Sequence, residues 1–389
     1  MNVCMIAYTF YEGDNRVRRY AETLVKRGDS VDAICLQQPG SGAYVNVTGV
    51  NVYKIQPRTI NERFKIEYLL KLLVFLVKSA YYVTKLHFKK RYDVIHVHSV
   101  PDFEVFATLI PKLTGAKIVL DIHDIVPELF ASKFKTSKDS ILFKALLLVE
   151  RASMAFSDHV IVANHIWYER LVTRSVDQKK CSVVMNYPDP SIFKQTEIEK
   201  KNDKFTIVYP GTLSYHQGIE TAIRAIDIVK EHIPDIEFHI YGKGTDEGYF
   251  VNLVKKLNLE KRVFFNQIVP IEKLPEIYAT ADIGIEPKIK NSFSNEAFST
   301  KILEFMLMGV PVIVSDTKVH THYFNENVVH FFKSEDERDL ARCILEMKNE
   351  KRTRDMLVEN AFKFMMENTW DAKKHLYLEI MDTLFLGRQ

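Results

Sequence analysis

Apolar residues in the first half of the chain fall in short, nearly continuous runs, separated by longer segments of helical period. VCMIAYTF is such a run, followed by Gly13 and Asp14, and it predicts a buried strand. RVRRYAETLVKRGD predicts a helix stopped by Gly28. SVDAICL and NVYKIQP predict two further strands, with the section QQPGSGAYVNVTG between them read as turns. A long helix is expected over roughly 64–90, and DVIHVHS, KIVLDIHD, HVIVAN and CSVVMNYP predict four more strands. The segment KQTEIEKKNDK is charged and lacks apolar period, as a linker does. The pattern then restarts. FTIVYPGTL, IEFHIYGKG, RVFFNQIV, DIGIEPK and PVIVSD predict strands, and GIETAIRAIDIVKEHI predicts a helix.

Apolar strands alternating with helices imply a parallel sheet covered on both faces. The chain therefore reads as two doubly wound, Rossmann-like α/β domains, 1–193 and 204–365, leaving a cleft between them. An amphipathic C-terminal helix follows over 366–389, with Trp370, Leu376, Ile380 and Leu384 on one face. A total of 389 residues exceeds the usual single core. In open α/β sheets, ligands bind outside the carboxyl ends of the strands.

Composition narrows the class. The chain is 47% hydrophobic and 26% charged, as folded proteins are, and a formal charge of +3 gives no reason to expect a nucleic-acid partner. Cys4, Cys35, Cys181 and Cys343 are scattered in apolar runs with no Cys-x-x-Cys pair, which fits a reducing compartment and argues against a thiolate zinc site. The opening MNVCMIAYTF lacks a basic region before its apolar run and reads as a strand, not a signal peptide. Without an apolar run of about 18 residues, no membrane-spanning helix is expected. The expected location is the cytoplasm, either free or on the inner face of the membrane.

The chemistry concentrates in EAFSTKILEFMLMGVPVIVSD, Glu296 to Asp316. Glu296 and Glu304 are separated by seven residues, and a helix is predicted to begin near Ser299 or Thr300 and stop at Gly309. A glutamate flanked by Ile302, Leu303, Phe305 and Met306 is costly unless a polar group meets it, which points to a hydroxyl-rich ligand. The stretch resembles the Glu-x7-Glu segment of the GT4-like retaining glycosyltransferases of GT-B fold. The resemblance extends over nearly the whole chain. It implies that Glu304 accepts hydrogen bonds from a ribose, and that Glu296 binds hydroxyls of the transferred sugar.

Several other motifs carry the same resemblance. The turn after FTIVYPGTL, from Gly211 to Gly218, is similar to the family's diphosphate loop, but Thr212 and Gln217 stand where an Arg and a Lys are usual. His216, Lys243 and Lys301 are the candidates to replace those cations, and Thr300 shares a helical stripe with Glu304. Lys243 lies in YGKG, which is similar to a family turn near the diphosphate. In the first domain Gly13 is expected to let backbone approach ligand. Asp14 and Arg16 match an Asp-x-Arg pattern there, with a helix cap as the equal alternative. DIHDIVPELF clusters Asp121, His123, Asp124 and Glu128 at a strand end. The resemblance places His123 beside the transferred sugar, with Asp124 orienting it and Glu128 offered as an acceptor contact. In HVHSVPD the two histidines are taken to alternate, one per face, and are read as structural. Asn186 and Asp189 are taken as hinge and turn residues, and Asp282 as a cap.

Lys71, Lys78, Lys85 and Lys89 form one stripe of the long helix, whose other faces carry more apolar residues than one core-facing stripe needs. Two readings remain: attachment of 64–91 to an anionic membrane surface, or a core helix with a solvated lysine edge. The expected activity is transfer of a sugar, with retention, from a nucleotide diphosphate donor to a glycan or lipid-linked acceptor hydroxyl in cell-surface polysaccharide synthesis. A UDP-sugar is favoured, a hexosyl or N-acetylhexosaminyl group is the expected cargo, and no metal or further cofactor is expected. The rivals are a UDP-sugar epimerase of GT-B fold and a non-catalytic nucleotide-sugar-binding protein.

Overall fold

In the computed structural model, which describes residues 1–58, 65–134, 137, 139–195 and 204–387, each apolar run of the first half becomes a strand. The strands are β1 (Asn2–Ala7), β2 (Ser30–Gln37), β3 (Tyr44–Val47), β4 (Val50–Pro57), β5 (Val94–His98), β6 (Lys117–Ile122), β7 (His159–Val162) and β8 (Cys181–Val183). They form one sheet in the order β3-β4-β2-β1-β5-β6-β7-β8. All pairs are parallel except β3 with β4. The section read as turns thus holds a short antiparallel edge strand. Its YVNV is half polar because one face meets water, which hid it from the apolar pattern. Parallel pairing sets His98 directly opposite Asp121 at the carboxyl ends of β5 and β6.

The second half gives β9 (Phe205–Pro210), β10 (Ile236–Tyr241), β11 (Val263–Asn266), β12 (Ile283–Glu286), β13 (Val312–Ser315) and β14 (His330–Phe332). Their order is β11-β10-β9-β12-β13-β14, all parallel. The three-residue β14 is too short to leave a periodic signal.

Two compact units result, one of Met1–Asn186 with the residues from Lys374 on, the other Tyr187–Lys373. Residues 187–193 group with the second unit because Phe193 stacks on Tyr278, with ring centres 6.1 Å apart. In the same unit Trp370 donates its backbone N–H to Pro188 O at 2.9 Å. The helix Trp370–Leu386 buries Trp370, Tyr377, Ile380 and Met381, whereas Leu376 and Leu384 are half-buried. Tyr377 packs in the first unit on Tyr20, ring centres 4.1 Å apart, and its hydroxyl meets His96 Nδ1 at 3.1 Å. Residues 196–203 of the expected linker lie outside the described residues. The four cysteines are buried and unpaired.

The helix Lys65–Lys90 buries one stripe, including Leu72, Phe75, Ser79 and Val83. Leu69, Leu70, Leu73, Val74, Val77, Tyr81 and Phe88 lie exposed.

Candidate active site

Asp121 is the hub of the first unit. It is the penultimate residue of β6, is fully buried, and receives Arg16 through both oxygens, Nε to Oδ2 and Nη2 to Oδ1, each at 2.7 Å. Arg16 also donates to Val184 O at 2.8 Å, so the guanidinium joins its helix to the residue that follows β8. His123 Nε2 lies 3.0 Å from Asp121 Oδ2, and His98 Nδ1 lies 3.3 Å from the same oxygen. Burial alone would raise the Asp121 carboxyl, but Arg16 and then His123 outweigh it and hold it well below the usual carboxylate range. An ionised Asp121 has no proton to give, so His123 Nε2 is the donor of that pair. Its Nδ1 is then the ring atom that can meet a ligand. Burial lowers His98 and His96, so both are neutral at pH 7.

Asp14 caps the helix Asn15–Arg27, accepting from Arg16 N and Val17 N at 3.2 and 3.1 Å. Gly13 is exposed in the turn before it, and a Cβ there would touch nothing in the protein. Asp14, His98 and His123 line a pocket of ≈ 230 Å3, together with Tyr8, Arg58 and Tyr68.

In the second unit, the turn from β9 into the helix Ile219–Val229 is set by backbone packing. Gly218 caps that helix at φ +71°, and a Cβ there would sit 1.8 Å from Pro287 O. A Cβ on Gly211 would lie 3.0 Å from Lys301 Nζ. Lys301 is the second residue of the helix Thr300–Leu307 and pairs with the buried Glu286 at 2.8 Å, lying over the Tyr209 ring at 4.3 Å. The Tyr209 hydroxyl donates to Gln217 Oε1 at 3.4 Å. Gln217 and Lys301 thereby meet at one tyrosine beside Gly211. Burial opposes the Glu286 charge, but Lys301 and then Lys288 bring that carboxyl down to about 2. The His216 ring lies 3.3 Å from Ser214 Oγ through Nδ1 and 3.3 Å from Gln217 Nε2 through Nε2. Thr212 and Lys243 are exposed on the same turns, and Lys243 O accepts from Leu213 N at 3.1 Å.

Thr300 opens the helix, and Glu304 lies one turn on, half-buried, accepting from the Tyr278 hydroxyl at 2.9 Å. Glu296 lies before the helix, only 6% exposed, and pairs with Lys318 at 3.2 Å.

Two family models match this chain: a glycosyl transferase 4-like domain over residues 13–186, and the group 1 glycosyl transferases over 191–364. The chain is a group 1 glycosyl transferase. This glycosyl transferase is 28% identical over 308 residues to an uncharacterized glycosyltransferase of Methanocaldococcus jannaschii, a match covering 76% of this chain and 74% of that one. It is 24% identical to the alpha-galactosylglucosyldiacylglycerol synthase of Streptococcus pneumoniae, covering 59% of this chain and 61% of the synthase. Its fold is GT-B. Sucrose-phosphate synthase from Thermosynechococcus elongatus matches with a TM-score of 0.80 over the whole of both chains, at 18% identity. Anabaena Alr3699/HepE, solved with UDP, matches at 0.73 over 98% of this chain and all of the other, at 16% identity.

Within this glycosyl transferase several expectations change. His96 and His98 are two residues apart on a strand, so they share a face instead of alternating, and their rings stack with centres 4.1 Å apart. Glu128 is buried against Arg174, at 2.5 and 3.0 Å, and Arg170, at 3.2 Å, so it holds helices together and is not offered to an acceptor. The carboxylate beside His123 Nε2 is Asp121, where Asp124 was expected. The polar group that meets Glu304 is in part the protein's own Tyr278. Asp189 makes a turn, accepting from Ser191 N at 2.8 Å, and Asp282 ties β9 down by accepting from Thr206 N at 2.6 Å. Arg58, Tyr68, Tyr278 and Glu286 went unremarked in the sequence, because the residues they meet are remote from them in the chain.

Among the described residues two groups have metal-ligand spacing, His96–His98–Asp121 and His330–Cys343–Glu346. In each a guanidinium already holds the carboxylate: Arg16 on Asp121, and Arg342 Nη1 on both Glu346 oxygens at 2.8 and 2.7 Å.

Proposed function

We propose that the second unit binds a nucleotide diphosphate sugar, and that the enzyme transfers the sugar with retention to a glycan or lipid-linked acceptor hydroxyl. The observation that carries this is the shared position of Lys301 and Glu304 on one short helix, with Lys301 against the Gly211 turn. A cation at that turn suits a diphosphate, and a half-buried carboxylate one turn further suits a ribose. Lys301 takes the place of the cations missing at Thr212 and Gln217. His216, Gln217, Thr212, Lys243 and Thr300 complete the diphosphate surroundings, and within the first unit the open turn at Gly13 lets backbone approach a ligand. Complexes of Alr3699/HepE with UDP and with UDP-glucose favour UDP as the donor nucleotide.

In the proposed reaction, negative charge builds on the departing diphosphate, where Lys301 and backbone N–H groups stabilise it. His123 hydrogen-bonds a hydroxyl of the transferred sugar through Nδ1, held in place by Asp121, with Asp124 beside it. Glu296 takes another hydroxyl. A diphosphate oxygen accepts the proton of the attacking hydroxyl, so no separate base is needed.

A lipid-linked acceptor agrees with the outer face of the first unit. The helix Lys65–Lys90 packs beside the segment Asp102–Leu113, which in turn packs on the helix Ile141–Phe156. Each exposes large apolar residues, among them Val77 at 69%, Leu113 at 78% and Ile141 at 88%. Lys71, Lys78, Lys85 and Lys89 edge this face, as contact with anionic lipid requires. No helix among the described residues is long and apolar enough to cross a membrane. The similarity to the alpha-galactosylglucosyldiacylglycerol synthase of Streptococcus pneumoniae points the same way.

The test is a thermal-shift screen of nucleotide sugars, followed by nucleotide diphosphate release with and without acceptor. A bound donor at 100 times its Kd should stabilise by about 2.7 kcal/mol. Failure of every donor to shift the protein would sink this reading, and epimerisation of donor without acceptor would favour the epimerase.

A further inference from the structure

We propose that His98 reads a hydroxyl of the acceptor, taking its hydrogen bond at Nε2 in the pocket at the carboxyl ends of β1 and β5, so that this pocket selects a neutral polyol ring over an anion. The inference rests on the transferase reading above and adds the residue that sets the chemical class of its second substrate.

The position of one proton decides what His98 can hold. The residue ends β5, is 2% exposed, and lies opposite Asp121 in the sheet. Its Nδ1 is 3.3 Å from Asp121 Oδ2 and 3.1 Å from His123 Nε2. The proton on His123 Nε2 is committed to the same oxygen, 3.0 Å away. A bare Nδ1 lone pair on His98 would face an ionised carboxylate, so Nδ1 carries the proton. Burial keeps the ring neutral, which leaves Nε2 as an acceptor only. That atom is buried and has no hydrogen-bond partner in the protein. Leaving it so is costly, and an O–H donor from a ligand relieves the cost.

The rest of the lining favours a ligand that brings its own protons. Asp14 lines the same pocket, and only its Oδ1 receives the two N–H groups at the start of the helix Asn15–Arg27. Its Oδ2 remains to accept. A carboxylate oxygen and a bare imidazole nitrogen in one pocket both present lone pairs, which repel an anion and suit hydroxyl donors. Arg58 lines the pocket too, but its guanidinium is engaged within the protein, over the Tyr8 and Tyr68 rings among other contacts.

At ≈ 230 Å3 the pocket is smaller than the roughly 300–1,000 Å3 of whole-ligand sites, so it suits one ring of a larger molecule. Its lining belongs to the first unit, whereas the donor nucleotide is assigned to the second, so the ring is the acceptor's. His123 lines it as well, which puts that ring beside the proposed reaction centre. The polyol has two sources: a sugar of a glycan, or a cyclitol headgroup of a lipid.

The experiment uses the full chain labelled with 15N-histidine, with His98→Phe and His98→Gln. The first keeps a ring stacked on His96 and removes the nitrogen; the second puts an amide oxygen near the place of Nε2. The probes are methyl α-glucoside and myo-inositol, with glucuronate and inositol 1-phosphate as their anionic counterparts, each with and without saturating UDP. We expect the His98 resonances, identified by their loss in His98→Gln, to show Nε2 unprotonated and to move upfield when a neutral probe binds. In calorimetric titration that probe should bind at least tenfold tighter than its anionic counterpart. His98→Phe should weaken it about tenfold, and His98→Gln should recover part of the loss. Among the monodeoxy derivatives of the probe, one should lose about tenfold against the wild type and nothing further against His98→Phe, a coupling that a merely structural histidine would not give. Methyl glucoside binding assigns the glycan source, and inositol binding the cyclitol headgroup. A protonated Nε2 in the free protein, anionic probes binding as tightly as neutral ones, deoxy losses equal in wild type and His98→Phe, or no neutral probe bound at tens of millimolar would each overturn the proposal. So would a UDP-glucose complex that moves the Nε2 resonance with no polyol present, since His98 would then meet the transferred sugar. Failure of UDP to bind the wild type would count against the donor assignment instead, because every His98 readout is also made without nucleotide.

Discussion

Arg16 and Asp121 are 105 residues apart in sequence and joined by two 2.7 Å hydrogen bonds in the floor of the first unit. Neither tolerates loss of the other, since a buried charge without its partner is costly. Arg16→Met should destabilise the protein by roughly 3–5 kcal/mol, read by urea unfolding. Asp121→Asn should cost a similar amount and also lower turnover, because it no longer fixes the proton on His123 Nε2. A loss under about 1 kcal/mol in both variants would show that the pair is not structural.

Lys301 and Glu286 separate binding from stability. Lys301→Met should weaken nucleotide diphosphate binding by about ten- to a hundredfold, the worth of a charge-assisted hydrogen bond. It should also destabilise the fold by leaving Glu286 buried without its 2.8 Å partner. Adding Glu286→Gln should restore most of the stability and none of the binding. Recovery of both in the double variant would place Lys301 outside the site.

Tyr278 gives Glu304 a hydrogen bond at 2.9 Å. Tyr278→Phe removes a donor to a charged acceptor and should cost about 1.5–3 kcal/mol. Donor binding should fall modestly, since Glu304 loses its orientation but keeps its charge. Glu304→Ala should abolish the thermal shift by donor. An unchanged shift would move the ribose elsewhere.

Glu104 and Asp102 make stability depend on pH. Burial pushes Glu104 up to about 8, against the pull of Ser79, and Asp102 up to about 7, against Ser99. In the unfolded chain both ionise near pH 4. Between those values the folded state binds more protons than the unfolded state, so stability falls as pH rises from about 4 to 8. Glu104→Gln should be more stable than wild type at pH 8, by on the order of 2–4 kcal/mol, and close to it at pH 4. Parallel stability curves for the two proteins between these pH values would refute this.

How much could be read beforehand depended on the range of the interaction. Period and punctuation located most strands, the stop at Gly28 and the start at Thr300, because each is decided by residues within a turn or two. Edge strands such as Tyr44–Val47 escaped, since their polar half mimics a loop. The Glu304 helix was legible as a motif, but its Tyr278 partner, 26 residues away, was not. The hub at Asp121 escaped for the same reason. Its partners come from β5, β6 and the first helix, and only the sheet order β1-β5-β6 brings them together. The histidine pair was misjudged by a parity error that the ring stacking corrects.

Tyr377 also sets a schedule for biosynthesis. It plugs the core of the first unit behind Tyr20 and His96, yet it is translated only after the whole second unit. On the ribosome the first unit must therefore wait, incompletely sealed, while roughly 190 further residues are made, ten seconds or more at about 5–20 residues per second. Truncation before Lys374 would leave that gap permanently open, and the wound would lie directly behind the His96–His98–Asp121 cluster.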